Sequence, residues 1–211
     1  MARPAGVRNQ DYEDKRQALL ASMLAYVELE DVVQPSLRQL AISAGVSDVS
    51  LRHYFGDRRG VITALYEYLR ENSKGIRAMM RQKADTVTDA ISAYIAMIGH
   101  AGADARYINR HVFALREAIA DMEAYKSYEK DVLNPAADAL GEGLVKSSGG
   151  LMDMDAARQA ASHIVFNTMF LAMQRAMADG PYDTDLFSSQ LQRFSNWVST
   201  GLEADMMSRA A

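Results

Sequence analysis

One stretch of twenty residues, Leu37 to Gly56 (LRQLAISAGVSDVSLRHYFG), leaves the chain little choice of local structure. Leu37, Leu40, Ala41 and Ala44 recur at i, i+3, i+4 and i+7, one apolar stripe at helical period. Gly45 follows the stripe, where a helix is left through a positive φ that glycine adopts without strain. Val46 is a small apolar plug. Ser47 can cap a second helix whose buried side is Leu51 and Phe55. Upstream, Ser36 and Gln39 have the spacing of a capping box, in which each side chain satisfies the other residue's free backbone N–H. The remaining residues of the second helix, Asp48, Val49, Ser50, Arg52, His53 and Tyr54, face outward. Short polar groups, a guanidinium, an imidazole and a phenol on one helix suit the hydrogen-bonding edges of a DNA groove. The stretch therefore predicts a helix-turn-helix. A purely structural helix pair is the competing reading, and the capping box and the Leu six residues after Gly45 favour the first.

The formal net charge of −4 argues at first against a nucleic-acid partner. Its distribution reverses that impression. Residues 36–60 carry four basic side chains (Arg38, Arg52, Arg58, Arg59) against two acidic ones (Asp48, Asp57), whereas residues 61–211 carry 15 basic against 19 acidic. A modest basic face on an acidic body suits local contact with DNA. The absence of cysteine excludes a disulfide framework and a thiolate metal site. With no signal-peptide core at the start and no apolar run long enough to span a bilayer, a soluble cytoplasmic protein is expected.

Around the central stretch the chain reads as helix throughout, with no run alternating apolar and polar residues as a strand would. Residues 1–9, with Arg3, Pro4, Gly6 and Arg8, have no period and read as an arm. Such an arm can enter a minor groove, but the composition favours a plain terminus. A first helix follows over Tyr12–Leu29, burying Leu19, Leu20, Met23, Tyr26 and Val27, and Pro35 prevents its continuation. Asp57 is expected to cap a fourth helix, Arg58–Lys83, on Val61, Leu65, Leu69, Ile76 and Met80. Arg58 and Arg59 lie in its first turn, where cations oppose the helix dipole, and a phosphate in front of that terminus would account for both. Further helices are predicted over Thr86–His100, Asp104–Ala120 (Ile108, His111, Val112, Leu115 and Ile119 inward), Glu123–Val145, Asp155–Ala178 and Thr184–Met206. Pro135 should kink or split the third of these. Loops are expected at Lys146–Gly150 and Asp179–Pro181.

Residues 36–65, SLRQLAISAGVSDVSLRHYFGDRRGVITAL, resemble the DNA-binding segment of TetR-type transcriptional regulators. The matching positions are Leu40-Ala41, Ala44-Gly45-Val46-Ser47, Leu51, Tyr54-Phe55 and Arg58. Arg52 stands where the family usually has a Tyr, and Asp31 where it usually has the Gly that ends the first helix. Asp48 is also unusual there, and it can accept from a cytosine amino group or favour the helix N-terminus. The resemblance implies an all-α fold with two parts. These are an arm and three-helix DNA-binding domain over residues 1–57 and a larger helical regulatory and dimerisation domain over 58–211. It implies base contacts from Arg38, Asp48, Val49, Ser50, Arg52 and His53, and phosphate contacts from Ser36, Ser47, Tyr54 and Arg58. It also implies a repressor released from its operator by a small molecule held in the C-terminal bundle. Tyr94, Met97, Tyr107, His111, Asn167 and Met169 could line that cavity, although each also fits an ordinary core or surface position.

The last two predicted helices point to self-association. The helix at 155–178 has two apolar rows, one through Ala157, Ala161, Ile164, Thr168 and Leu171, the other through Phe166, Phe170, Met173 and Met177. The helix at 184–206 offers Phe187, Leu191, Phe194, Val198 and Leu202 with Trp197 beside them. A surface helix needs one row, so Ile164, Phe166, Phe170, Met173, Phe187, Leu191, Phe194, Trp197 and Val198 are expected at a two-fold interface. A homodimer would place two recognition helices on a palindromic operator in double-stranded DNA. No catalytic motif is present: there is no Gly-x-Ser-x-Gly, no His-Glu-x-x-His, no P-loop and no cysteine nucleophile. No enzyme, metal or cofactor is expected. The alternative is a helical interaction module or small-ligand-binding protein without operator binding.

Overall fold

The computed structural model describes residues 5–29, 31–177 and 184–210. Its helices are α1 (Ala5–Val27), α2 (Leu37–Ser43), α3 (Asp48–Phe55), α4 (Arg58–Asn72), α5 (Lys74–Met80), α6 (Val87–Ala101), α7 (Ala105–Ala120), α8 (Met122–Tyr128), α9 (Asn134–Ser147), α10 (Met154–Met177) and α11 (Thr184–Ala210). A π-helical turn, Glu129–Leu133, joins α8 to α9. The described residues contain no strand, so the fold is all-α as expected. None of these helices is long and apolar enough to cross a membrane.

The local signals of the central stretch act as the sequence predicts. The Gln39 N–H donates to Ser36 Oγ (3.3 Å) and the Ser36 N–H to Gln39 Oε1 (2.8 Å), closing the capping box at the start of α2. Gly45 has φ +67° and turns the chain toward α3, whose first residues are capped by Ser47 Oγ accepting from the Ser50 N–H at 3.1 Å. Leu40, Ala41 and Leu51 are fully buried and pin α2 and α3 to α1 and α4. Asp57 Oδ1 accepts from the Gly60 N–H at 2.8 Å and opens α4. A Cβ on Gly60 would lie 1.9 Å from the Phe55 carbonyl oxygen, so the corner between α3 and α4 closes only on glycine.

Several boundaries differ from expectation. Helix α1 begins at Ala5, so part of the expected arm is helical; residues 1–4, and the expected turn at 179–181, lie outside the described residues. No described non-glycine residue has a positive φ, so the chain leaves α1 without Asp31 adopting the left-handed turn that glycine would supply there. The predicted fourth helix breaks at Ser73, whose hydroxyl bonds the Leu69 carbonyl at 2.6 Å in competition with the backbone ladder. Pro135 splits the segment at 123–145 as expected, and the break takes the form of the π turn. Proline has no N–H to return to the carbonyl four residues earlier, and the Asn134 N–H reaches back five residues to the Glu129 carbonyl. Ile119, expected inward, is exposed, because α7 ends one residue later and α8 departs there.

Helix α4 is shared by both halves of the molecule, packing on α1 and α3 at one side and on α8 and the π turn at the other. Helices α6, α7, α9 and α10 form the centre of the larger half, with α11 laid against α6.

Candidate nucleic-acid interface

Leu51, buried on the inner side of α3, holds the opposite side in solvent. Val49 is 77% exposed at the middle of that side. Arg38, Ser36, Ser47, Arg52 and His53 are exposed around it, and Asp48, Ser50 and Tyr54 are half-buried. The Ser47 and Ser50 hydroxyls are 3.0 Å apart at the head of α3. Three aromatic side chains extend the face. Tyr54 stacks on Tyr12 of α1 (centroids 4.8 Å apart, planes at 26°), and His53 meets Tyr54 edge-on at 5.3 Å. Tyr12 was not singled out by sequence; it stands at the head of the expected first helix, and only the fold brings it to α3.

The expected phosphate contact from Arg58 finds other partners. Its Nη1 and Nη2 donate to the two carboxylate oxygens of Glu117 (2.8 and 2.6 Å), and its Nε donates to the Pro35 carbonyl at 2.7 Å. Glu117 is almost fully buried, so a charge that water no longer solvates is met by a bidentate guanidinium. Arg59 binds Asp121 in parallel (Nε to Oδ2, 2.9 Å). The Glu123 N–H, first, and then Arg59 hold the Asp121 carboxyl below its ordinary range. Two arginines that a phosphate would have explained instead clamp the start of α4 to the end of α7.

A cavity of about 60 Å³ lies between α4, α5, α6, α7, the π turn and α10. Five of the six residues expected to line a pocket meet there: Tyr94, Met97, Tyr107, His111 and Met169. Asn167 does not; it is exposed on the outer side of α10, where its Nδ2 donates to the His163 carbonyl at 2.9 Å. Arg70, Arg77, Arg110 and Asp131 join the lining. Arg77 carried a signal in the sequence, being a cation between the apolar Ile76 and Met80. Asp131 carried none, because the π turn that aims it inward has no sequence period of its own. Burial pushes the His111 imidazole down to about 3, helped by the Arg110 charge, so the ring is neutral. Burial also raises the phenols of Tyr94 and Tyr107; the Tyr94 hydroxyl lies 3.0 Å from Thr168 Oγ1.

The apolar residues expected at a dimer interface divide into two sets. Ile164, Met173, Phe187 and Leu191 are buried within the subunit. Leu191 lies over Gly99 and Phe187 over Gly102, where α11 runs along α6. Phe194 and Val198 are half-buried. Phe166, Phe170 and Trp197 remain exposed, Trp197 at 71%.

No family model matches the chain, and no curated protein sequence matches it. Solved structures do. A protein from Rhodococcus sp. assigned to the TetR family of transcriptional regulators superposes with a TM-score of 0.68 at 15% identity, over 88% of this chain and 99% of the other. The fatty acid degradation regulator FadR from Bacillus halodurans superposes with a TM-score of 0.58 at 19% identity, over 94% and 97%. The chain has the fold of these regulators over nearly their whole length.

Proposed function

We propose that this chain is a member of the TetR family, a homodimeric, sequence-specific DNA-binding transcriptional regulator. We read it as a repressor that leaves a palindromic operator when a small molecule occupies the cavity. The observation that carries the reading is the solvent-facing side of α3, where Val49, Arg52 and His53 are exposed on a helix fixed from behind by Leu51. Arg38 and Arg52 are assigned the guanine contacts, for which a guanidinium is the best bidentate partner. Ser36, Ser47 and Tyr54 are assigned the phosphates. The fold shared with the two regulators and the motif at 36–65 support the family. The exposed row of Phe166, Phe170 and Trp197 supports pairing of α10 and α11 with their copies. Two recognition helices about 34–36 Å apart would then read successive half-sites.

Fluorescence anisotropy with the DNA upstream of the protein's own gene, at low and moderate salt, tests this. Sequence-dependent binding is expected, and Arg52→Ala should cost about 1–3 kcal/mol on the preferred site while relaxing the choice at one base pair. Salt-sensitive binding to any DNA alike, or none at all, would leave a helical interaction module or ligand-binding protein as the better description.

A further inference from the structure

The cavity holds charges in unequal number. Arg70 lies 3.3 Å from Asp131 and Arg110 lies 2.6 Å from Glu28, so each of these cations has an acid of its own. Arg77 forms no ion pair among the described residues. It is only 8% exposed, and its Nη2 donates to a main-chain carbonyl, that of Arg70, at 2.6 Å. Glu71 acts on it from farther away and is itself paired with Lys74 and Arg70. Hydrogen-bonding capacity is also left over among the described residues: Arg110 Nε and His111 Nδ1, on two cavity-lining residues of α7, have no hydrogen-bond partner, and neither carboxylate oxygen of Asp131 has one, its charge being met by Arg70 alone. A buried guanidinium and idle polar atoms beside it are costly unless something else satisfies them. Tyrosine and methionine make up much of the remaining wall, an adaptable apolar lining.

We propose that the cavity binds a small organic monoanion, a carboxylate on an apolar body, with Arg77 as its counter-charge and Arg110 and His111 completing its hydrogen bonds. This rests on the reading of the cavity as an effector site. Asp131 disfavours a carboxylate placed beside it, so the head is held at the Arg77 end; a dianion such as a phosphate monoester exceeds the single uncompensated charge and is repelled more strongly. The cavity, about 60 Å³ as it stands, admits a carboxylate head and the start of a short body. Met80, Tyr94 and Met97 separate it from an open groove beside α5 and α6, so a longer body extends past flexible methionines. The site has its own line to the DNA-binding half. Arg110 reaches Glu28, just beyond the end of α1, and Asn109 Nδ2 donates to the Glu28 carbonyl at 2.9 Å. A carboxylate that engages Arg110 competes with Glu28 for it.

The full chain is titrated with butanoate, hexanoate and benzoate, with their primary amides, and with butyl phosphate, following the melting temperature and the heat of binding. At least one carboxylate is expected to raise the melting temperature while its amide and the phosphate do not. Arg77→Gln should weaken that binding by about ten- to hundredfold, with Arg77→Lys retaining most of it. Equal stabilisation by acid and amide, unchanged binding in a folded Arg77→Gln protein, or no shift with any carboxylate would overturn the assignment. DNA binding is measured separately on the ligand-free protein. A chain that binds carboxylates through Arg77 but never DNA fails as a regulator alone; one that binds its upstream DNA and ignores carboxylates fails in the ligand class alone.

Discussion

His111 shows how a single residue records its surroundings. Its imidazole is buried, its Nδ1 has no partner, and its pKa is pushed down to about 3. The unfolded chain takes up this proton near the ordinary value of about 6.5, whereas the folded chain refuses it until far lower pH. Stability is therefore complete above about 6.5 and falls as pH drops through the window toward 3. Between pH 7 and pH 5 the wild type should lose about 2 kcal/mol on this account, measured by urea unfolding at fixed protein concentration. His111→Phe should flatten that slope. An equally steep profile in the variant would place the sensitivity elsewhere. Arg58 carries the opposite lesson. A cation at a helix N-terminus suggests an external anion, and the sequence cannot show that Glu117, 59 residues away, supplies one from within.

Among the elements, α2 and α3 were legible because their signals are local: a capping box, a glycine at the turn and a stripe of four apolar residues determine them without help from elsewhere. The class and rough extent of the other helices followed in the same way from period and capping. What the sequence could not divide was α10 and α11. Both apolar rows were visible, yet Ile164, Met173, Phe187 and Leu191 are covered by their own subunit while Phe166, Phe170 and Trp197 are not. Periodicity reports that a row must be covered but not by which neighbour. The clamp between α4 and α7 was illegible for the related reason that it joins distant segments. It has a measurable weight. Glu117→Ala should destabilise the protein by about 2–4 kcal/mol, below the full value for a buried pair because Arg58 keeps part of its hydration. Glu123→Ala, which removes an exposed pair with Lys126, should barely shift the unfolding midpoint. Similar midpoints for both variants would mean that the clamp is decorative.

At the scale of the whole molecule, the proposed dimer is tested at the exposed aromatic side chains of α10 and α11. Replacing Phe166, Phe170 and Trp197 together by Ser should give a folded monomer in sedimentation, with unchanged helicity. Operator affinity should fall by about a hundredfold or more, because the second half-site no longer binds as part of the same event. A dimer that survives these changes would move the two-fold axis to another surface. The corner at Gly60 adds a constraint on how any effector can work. Leu51, fully buried behind α3, and the close approach of the Phe55 carbonyl to Gly60 tie this helix to α4, so each DNA-binding head of the proposed dimer is expected to move in one piece. On the proposed function, an effector would then alter the gap between the two heads and not the letters that either one prefers. An induced dimer should therefore still favour the same half-site when half-sites are offered singly, having lost only the power to grip two at once.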